Sequence, residues 1–390
     1  MPAKLALYAN VGPELTHYDV DVDACALTRR GTVTLPAKVQ YVWPHANRRF
    51  LYVSTSDAAS GLGPQGSCHH VTGFRIDQET GALTQHGESI PLPHRPIHHS
   101  TDIPSEHVLV AFSNPSGVRV YKINPDGTPG AEVVQTAPID PGIYAHQVMA
   151  MPDNRAVILV TRGHDARDGK PEEPGALKVF SFKDGQLGDE KTIAPSGGFG
   201  FGPRHLDFHL SKPWVYVSLE RQNQVDLFER VGDTLAAEPK FRKHTLTDIS
   251  QQHRYRQMVG TVHVHPNGKF LYVANRYNET VDFNGQPVLD TGENSLAVFS
   301  IDQTTGEPTL IQHMDTHGIH PRTFHIDPSG RMLVVGHIMG SKVRDGDSVR
   351  TVPARLTTFR IGDDGTLTFA RAYDIDVNGQ TIWWSGMVAW

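Results

Sequence analysis

The chain has 390 residues and a net charge of -6, with Lys and Arg mixed among Asp and Glu along its length. No basic stripe of the kind that binds nucleic-acid phosphates is present, and no apolar run approaches a membrane span. Two cysteines, Cys25 and Cys68, lie too far apart in sequence to make a disulfide framework or a CxxC metal clip.

The predicted elements, taken in chain order, form a repeat. The N-terminal MPAKLALYANVG has no basic region, long apolar run and cleavage site in succession, so a cytoplasmic protein is expected. LALYAN (5–10) reads as a strand, and Leu15 to Tyr18 opens the next with an aliphatic three residues before an aromatic. From there two patterns alternate. A Pro-led turn runs into an apolar strand in PHANRRFLYVS (44–54), PSEHVLVAF (104–112), PDNRAVILV (152–160), PNGKFLYVAN (266–275) and PSGRMLVVG (328–336); LSKPWVYVS (210–218) has Leu in place of Pro. Each is followed by an aliphatic-to-aromatic strand: Val71 to Phe74, Val118 to Tyr121, Leu177 to Phe180, Val225 to Phe228, Leu296 to Phe299 and Leu356 to Phe359. Turns such as TGAL (80–83), DGQL (184–187), GDTL (232–235) and DGTL (364–367) supply hairpin geometry. A short strand such as TVHVH (261–265) or TFHID (323–327) precedes each Pro, so one unit has four strands and recurs roughly every 50–60 residues, as propeller blades do.

The chain ends in TIWWSGMVAW (381–390), a lone strand, while the N-terminus supplies strands two to four of a blade with no first strand. Pairing them predicts a single all-β domain over 1–390: a seven-bladed β-propeller of four-stranded antiparallel blades, with no open sheet edge. Inserts at 162–176, 240–258, 278–294 and 338–353 are rich in charge, Gly and Pro and read as surface loops decorating one face.

Function has to be argued from a site on this scaffold. The first strand of each blade lines the central channel. Six residues before the turn Pro stand Lys38, His98, His146, Arg204, Gly260 and Arg322, a mostly cationic register beside apolar neighbours. Unpaired Lys and Arg rarely enter interiors, so the register suggests a positive ring that binds an anionic small molecule; the alternative is ion pairing that knits blades together. The ends of the second strands add Asn114, Arg162, Glu220 and Arg276. Glu220, among arginines, is expected to be ionised and to orient an arginine or activate water. His209, His263 and His265 with Asp207 have a spacing compatible with a zinc or manganese site, but residues before such turns more often bond the turn backbone. No metal and no cofactor are therefore expected. His69–His70 and the segment from His317 to His320 receive no role. No P-loop, dinucleotide fingerprint or nucleophile elbow is present.

HPNGKFLYVANR (265–276), AHQVMAMPDN (145–154), GPRHLDFHL (202–210) with Glu220, and HPRTFHIDPSGR (320–331) together resemble the lactonase family of seven-bladed propellers, which includes 6-phosphogluconolactonases and 3-carboxy-cis,cis-muconate lactonising enzymes. The resemblance covers nearly the whole chain. It implies His146, Arg204, Glu220 and Arg276 as catalytic residues; beside it, the sequence itself offers Lys38, His98, Arg162, His205, His263 and Arg322 as substrate-binding candidates. The sequence departs from the family at Thr161-Arg162-Gly163-His164 and Phe112-Ser113-Asn114-Pro115. The expected activity is hydrolysis of a small anionic lactone from sugar-acid or aromatic degradation, with His146 or Glu220 as general base and His146 preferred because imidazole suits neutral pH. The alternatives are a muconate-type cycloisomerase and a non-catalytic ligand- or protein-binding propeller. A monomer or weak homo-oligomer is expected, with neither nucleic acid nor membrane as partner.

Overall fold

A computed structural model describes residues 4–390 except 62, 168, 251–253 and 255, so parts of the 162–176 and 240–258 inserts lie outside the described residues. Seven antiparallel sheets form the blades. Their inner strands are Lys38–Pro44, Pro96–Thr101, Ala145–Ala150, Pro203–Phe208, Met258–Val264, Ile319–Ile326 and Ser385–Ala389, for blades 1 to 7. In blade 7 the C-terminal strand pairs with Leu5–Val11 from Leu5↔Ala389 to Ala9↔Ser385, and backbone bonds between Lys4 and Trp390, from Asn10 N to Trp384 O and from Gly12 N to Thr381 O carry the contact along 381–390.

The second strands are apolar without alternation because both of their faces are covered by neighbouring blades. Ala156–Thr161 (AVILVT) and Trp214–Leu219 (WVYVSL) are buried at every position. The core is accordingly divided into seven clusters, one at each blade junction, including one between blades 7 and 1 built on Tyr8, Leu15, Leu51 and Val53.

The repeated LY of the second strands has a physical reason. The hydroxyls of Tyr8, Tyr52, Tyr216 and Tyr272 donate to the carbonyls of Gly81, Gly127, Gly306 and Gly365, each in the outer hairpin of the following blade. Gly365 has a φ of 81°, and a Cβ there would meet the Phe270 ring at 2.3 Å, so the turn glycine is needed for both conformation and space.

The inserts at 162–176, 278–294 and 338–353 leave from the ends of second strands, at one face of the disc. Two of them form hairpins, Thr280–Phe283 with Gln286–Leu289 and Ser341–Asp345 with Ser348–Val352, joined by the parallel pair Leu289↔Val343 into a further sheet at that face. Among the described residues no helix is long and apolar enough to cross a membrane.

Candidate active site

The inner strands carry a recurrent bulge that positions the site. One extra residue opposes the second strand at Gln40, Ile97, His146, Arg204, Gly260 and Arg322, where the pairing register shifts. A bulge bends the strand and re-aims the side chain. In blade 7, Ser385 pairs with Ala9 as Val262 pairs with Val273, which puts Trp383 at the equivalent place.

This register corrects two positions. Backbone bonds His45 N to Phe50 O and His265 N to Phe270 O are equivalent, so the blade 1 strand is counted from Phe50 and not from Pro44. The site residue is then Gln40, and Lys38 is exposed at the channel rim. The bond from Asp102 N to His107 O likewise shifts blade 2 by one, giving Ile97. His98 belongs to the next layer, with Tyr41 at 4.1 Å and His205 at 6.0 Å between ring centroids. Pro was a poor anchor because Pro44 and Pro104 stand at different points of their turns.

At the centre of the site is Glu220, immediately after the second strand of blade 4. Its amide donates to Gly202 O and its carbonyl accepts from Val259 N, which pins it between blades 4 and 5. Its carboxylate pairs with Arg162, with Arg276 and, at 3.2 Å, with Arg204 Nε. Burial alone would raise this carboxyl, yet Arg162, Arg276 and Arg204 outweigh it and hold the group well below the usual carboxylate range. Arg204 Nη1 is buried without a hydrogen-bond partner among the described residues.

His320, on blade 6, accepts from Arg276 Nη1 at 3.2 Å through Nε2. Its proton is therefore on Nδ1, which is buried and unpartnered. His146 packs edge-on to His205 with centroids 5.1 Å apart, and its Nδ1 has no partner. Burial first, then Arg204, holds His146 well below the usual histidine value. Burial is a larger cause than the arginines.

Five guanidinium groups, Arg95, Arg162, Arg204, Arg276 and Arg322, gather at the mouth; Arg162, Arg204 and Arg276 pair with the one carboxylate of Glu220, and the exposed Asp165 also bonds Arg162 at 2.7 Å. Burial and mutual repulsion push Arg276 down to about 9 and Arg322 well below its ordinary value. Guanidinium stays protonated in proteins, so these shifts express uncompensated positive charge.

The family model described as Lactonase, 7-bladed beta-propeller, matches residues 6–344. The chain belongs to this lactonase family. It is similar to a 6-phosphogluconolactonase of Bacillus subtilis strain 168, 27% identical over 341 residues that cover 85% of this chain and 86% of the relative. A second relative of that name, from Enterobacter sp. strain 638, is 27% identical over 311 residues, covering 79% of this chain and 80% of the relative. Among solved structures, the periplasmic gluconolactonase PpgL of Pseudomonas aeruginosa has a TM-score of 0.72 at 19% identity, with 99% of each chain covered. A protein from Lactobacillus plantarum has a TM-score of 0.69 at 20% identity, covering 100% of this chain and 99% of the other. These two likenesses concern the fold.

In this lactonase-family propeller, His146, Arg162, Arg204, His205, Glu220, Arg276 and Arg322 come together at one channel mouth, with His98 one layer deeper. His263 does not join them. It is further along its strand, 3.3 Å from Asp207 and edge-on to His325. His209 and His265 use both ring nitrogens on backbone: each Nε2 bonds a glycine carbonyl of the next blade, Gly268 or Gly330, and each Nδ1 accepts turn amides. They are turn residues, as their position before the turn suggested. Asn114 follows Ser113, the true equivalent of Arg276 in blade 2.

Sequence reasoning missed Gln40, Arg95, His320 and Trp383. Arg95 precedes its strand and holds no repeat position, while Trp383 holds the repeat position of blade 7 but has no turn after it from which to count. His320 left one signal, its place two residues before Arg322 in an HPR triplet. A cleft of about 960 Å³ on the outer strands around His17, Asp23, Arg331 and Trp390 shares no residue with the site.

Proposed function

We propose that this lactonase-family chain hydrolyses a small anionic lactone at the Glu220 cluster. The observation that carries the reading is the excess of buried guanidinium charge over carboxylate. Such an arrangement is costly unless an anion completes it, and it stabilises a developing oxyanion once the lactone is bound. The names of the curated relatives support a sugar-acid lactone as the substrate class.

In this reading a neutral His146 takes a proton from water as the water oxygen adds to the lactone carbonyl carbon. Arg204, whose Nη1 has no protein acceptor, stabilises the oxyanion. The tetrahedral intermediate then breaks its ring C–O bond, the leaving oxygen takes the proton from His146, and a hydroxy acid is released. Glu220 anchors three arginines and is too weakly basic to serve. His320 presents an N–H and acts as a donor. A cytoplasmic location and a monomeric or weakly oligomeric state remain part of the proposal, open to fractionation and sizing.

A panel of neutral and anionic lactones followed by pH-stat tests the reading. One proton released and one water consumed per lactone is expected. No acid release from any lactone, or formation of a lactone from a muconate without water uptake, would overturn it.

A further inference from the structure

The guanidinium groups of the mouth divide into two arcs. Arg162, Arg204 and Arg276, on blades 3 to 5, converge on Glu220. Arg95 and Arg322 belong to the other arc, formed by blades 6, 7, 1 and 2, and neither makes an ion pair with a carboxylate among the described residues. Both are buried, at 5% and 7% exposure.

What holds them is neutral. Arg322 Nε donates to Trp383 O at 3.0 Å, and its guanidinium lies 3.6 Å from the centre of the Trp383 ring. Arg95 Nε donates to Gln40 Oε1 at 2.8 Å, and its guanidinium lies 5.4 Å from the same ring. The indole is itself fixed, because Asn10 Oδ1 accepts from both Trp383 N and Trp384 N, at 2.9 and 2.7 Å. Trp383 Nε1 is buried with no acceptor among the described residues. An indole and an amide orient two cations without neutralising either. Each arginine has its Nε engaged and its outer nitrogens aimed at no carboxylate, the disposition that suits bidentate capture of a planar or tetrahedral oxyanion.

We propose that Arg95, Arg322 and the Trp383 indole N–H form a second subsite that binds a carboxylate or phosphate remote from the reacting carbonyl, across the channel mouth from Glu220. The inference rests on the lactone reading for what is bound at the Glu220 arc. It adds that substrates carry their anion at the far end from the scissile ester, and that Arg95 and Trp383 set this preference. Arg204 is then kept for the carbonyl oxygen, and two kinds of negative charge are served by two sets of donors.

The test uses Arg95→Gln and Trp383→Phe in the full chain, with melting curves confirming that each folds. Three substrates of one ring size are compared: a neutral aldonolactone, its terminal phosphate ester and its terminal carboxylate. The ratio of kcat/KM for anionic over neutral lactone should collapse about ten- to a hundredfold in Arg95→Gln, as expected for one lost charged hydrogen bond. The fall should lie in KM. Trp383→Phe, which keeps the ring and loses the N–H, should lower the ratio by less. The anion giving the higher wild-type kcat/KM identifies phosphate or carboxylate. An unchanged ratio in Arg95→Gln would overturn the subsite. A separate arm needs no turnover: calorimetric binding of the open-chain 6-phosphogluconate and glucarate should weaken about ten- to a hundredfold in Arg95→Gln. If no lactone is hydrolysed but this weakening is seen, the lactone reading fails and the subsite stands; equal binding by wild type and variant overturns the subsite whatever the turnover.

Discussion

At the scale of single residues, the site separates charge from basicity. Glu220 has the negative charge and almost no basicity, because three arginines share its carboxylate. His146 has a free nitrogen and no charge. The consequence for pH is definite. A histidine depressed below its ordinary 6.5 is already neutral at pH 7, so kcat should rise with pH through an apparent value below 6.5 and then stay level. His146→Ala should remove that limb and lower kcat about 10²–10⁴-fold. Glu220→Gln should keep the limb with a smaller loss of kcat. It should also destabilise the fold by about 3–5 kcal/mol, since it leaves buried guanidinium groups without their carboxylate. Stopped assays across pH 4–9 with parallel denaturant titrations measure both. A limb that vanishes in Glu220→Gln and persists in His146→Ala would reverse the two roles.

At the scale of the element, the same short signatures serve fold and site at once. The second strand begins near a tyrosine that reaches the next blade and ends at the residue that reaches the channel mouth, as in the strand Phe270–Arg276 with Tyr272 and Arg276. The inner strand puts its bulge where a side chain must turn toward the mouth. The tyrosine bond is testable apart from activity. Tyr272→Phe removes the 2.8 Å bond to Gly365 O and should cost about 1–3 kcal/mol, because a buried carbonyl loses its donor. Gly365→Ala should cost more, since it adds a left-handed φ of 81° to a clash with Phe270. Chemical denaturation of the two variants gives the order, and the reverse order would show that the outer hairpin yields more easily than its packing indicates.

At the scale of the whole molecule, the ring of seven inter-blade cores ties stability to the C-terminal strand. The approach to that strand supplies Trp383, so deleting 381–390 should expose the edge of Leu5–Val11 and dismantle part of the site together. The truncated chain should aggregate or lose its cooperative melting transition; an unchanged transition would refute the role of closure. Acid should act on the whole molecule as well. Burial pushes His99 and His337 down to about 3 and His325 to about 4. Between those values and the unfolded 6.5 the unfolded chain binds more protons, so this stability is complete above pH 6.5 and is lost progressively as pH falls through 4 to about 3. Calorimetry should find Tm falling between pH 6.5 and 4.5, and a flat Tm over that window would contradict it.

The sequence by itself determined the repeat and the blade number, and it singled out His146, Arg204, Glu220, Arg276 and Arg322 as candidates that the fold then brings to one mouth. A four-stranded blade must bury its second strand on both faces and turn tightly outside, and those demands recur at one spacing whatever else the chain does. Only the tertiary structure decided the register of blades 1 and 2. A turn can place its proline at several points, whereas the hydrogen bonds across it leave one alignment, and they replaced Lys38 with Gln40 and His98 with Ile97. It also decided the membership of Arg95, His320 and Trp383, which come from a loop, a left-handed backbone position and the approach to the closing strand. Their separation along the chain reaches hundreds of residues, and no local pattern records which distant side chains will share an unneutralised charge when a ring closes.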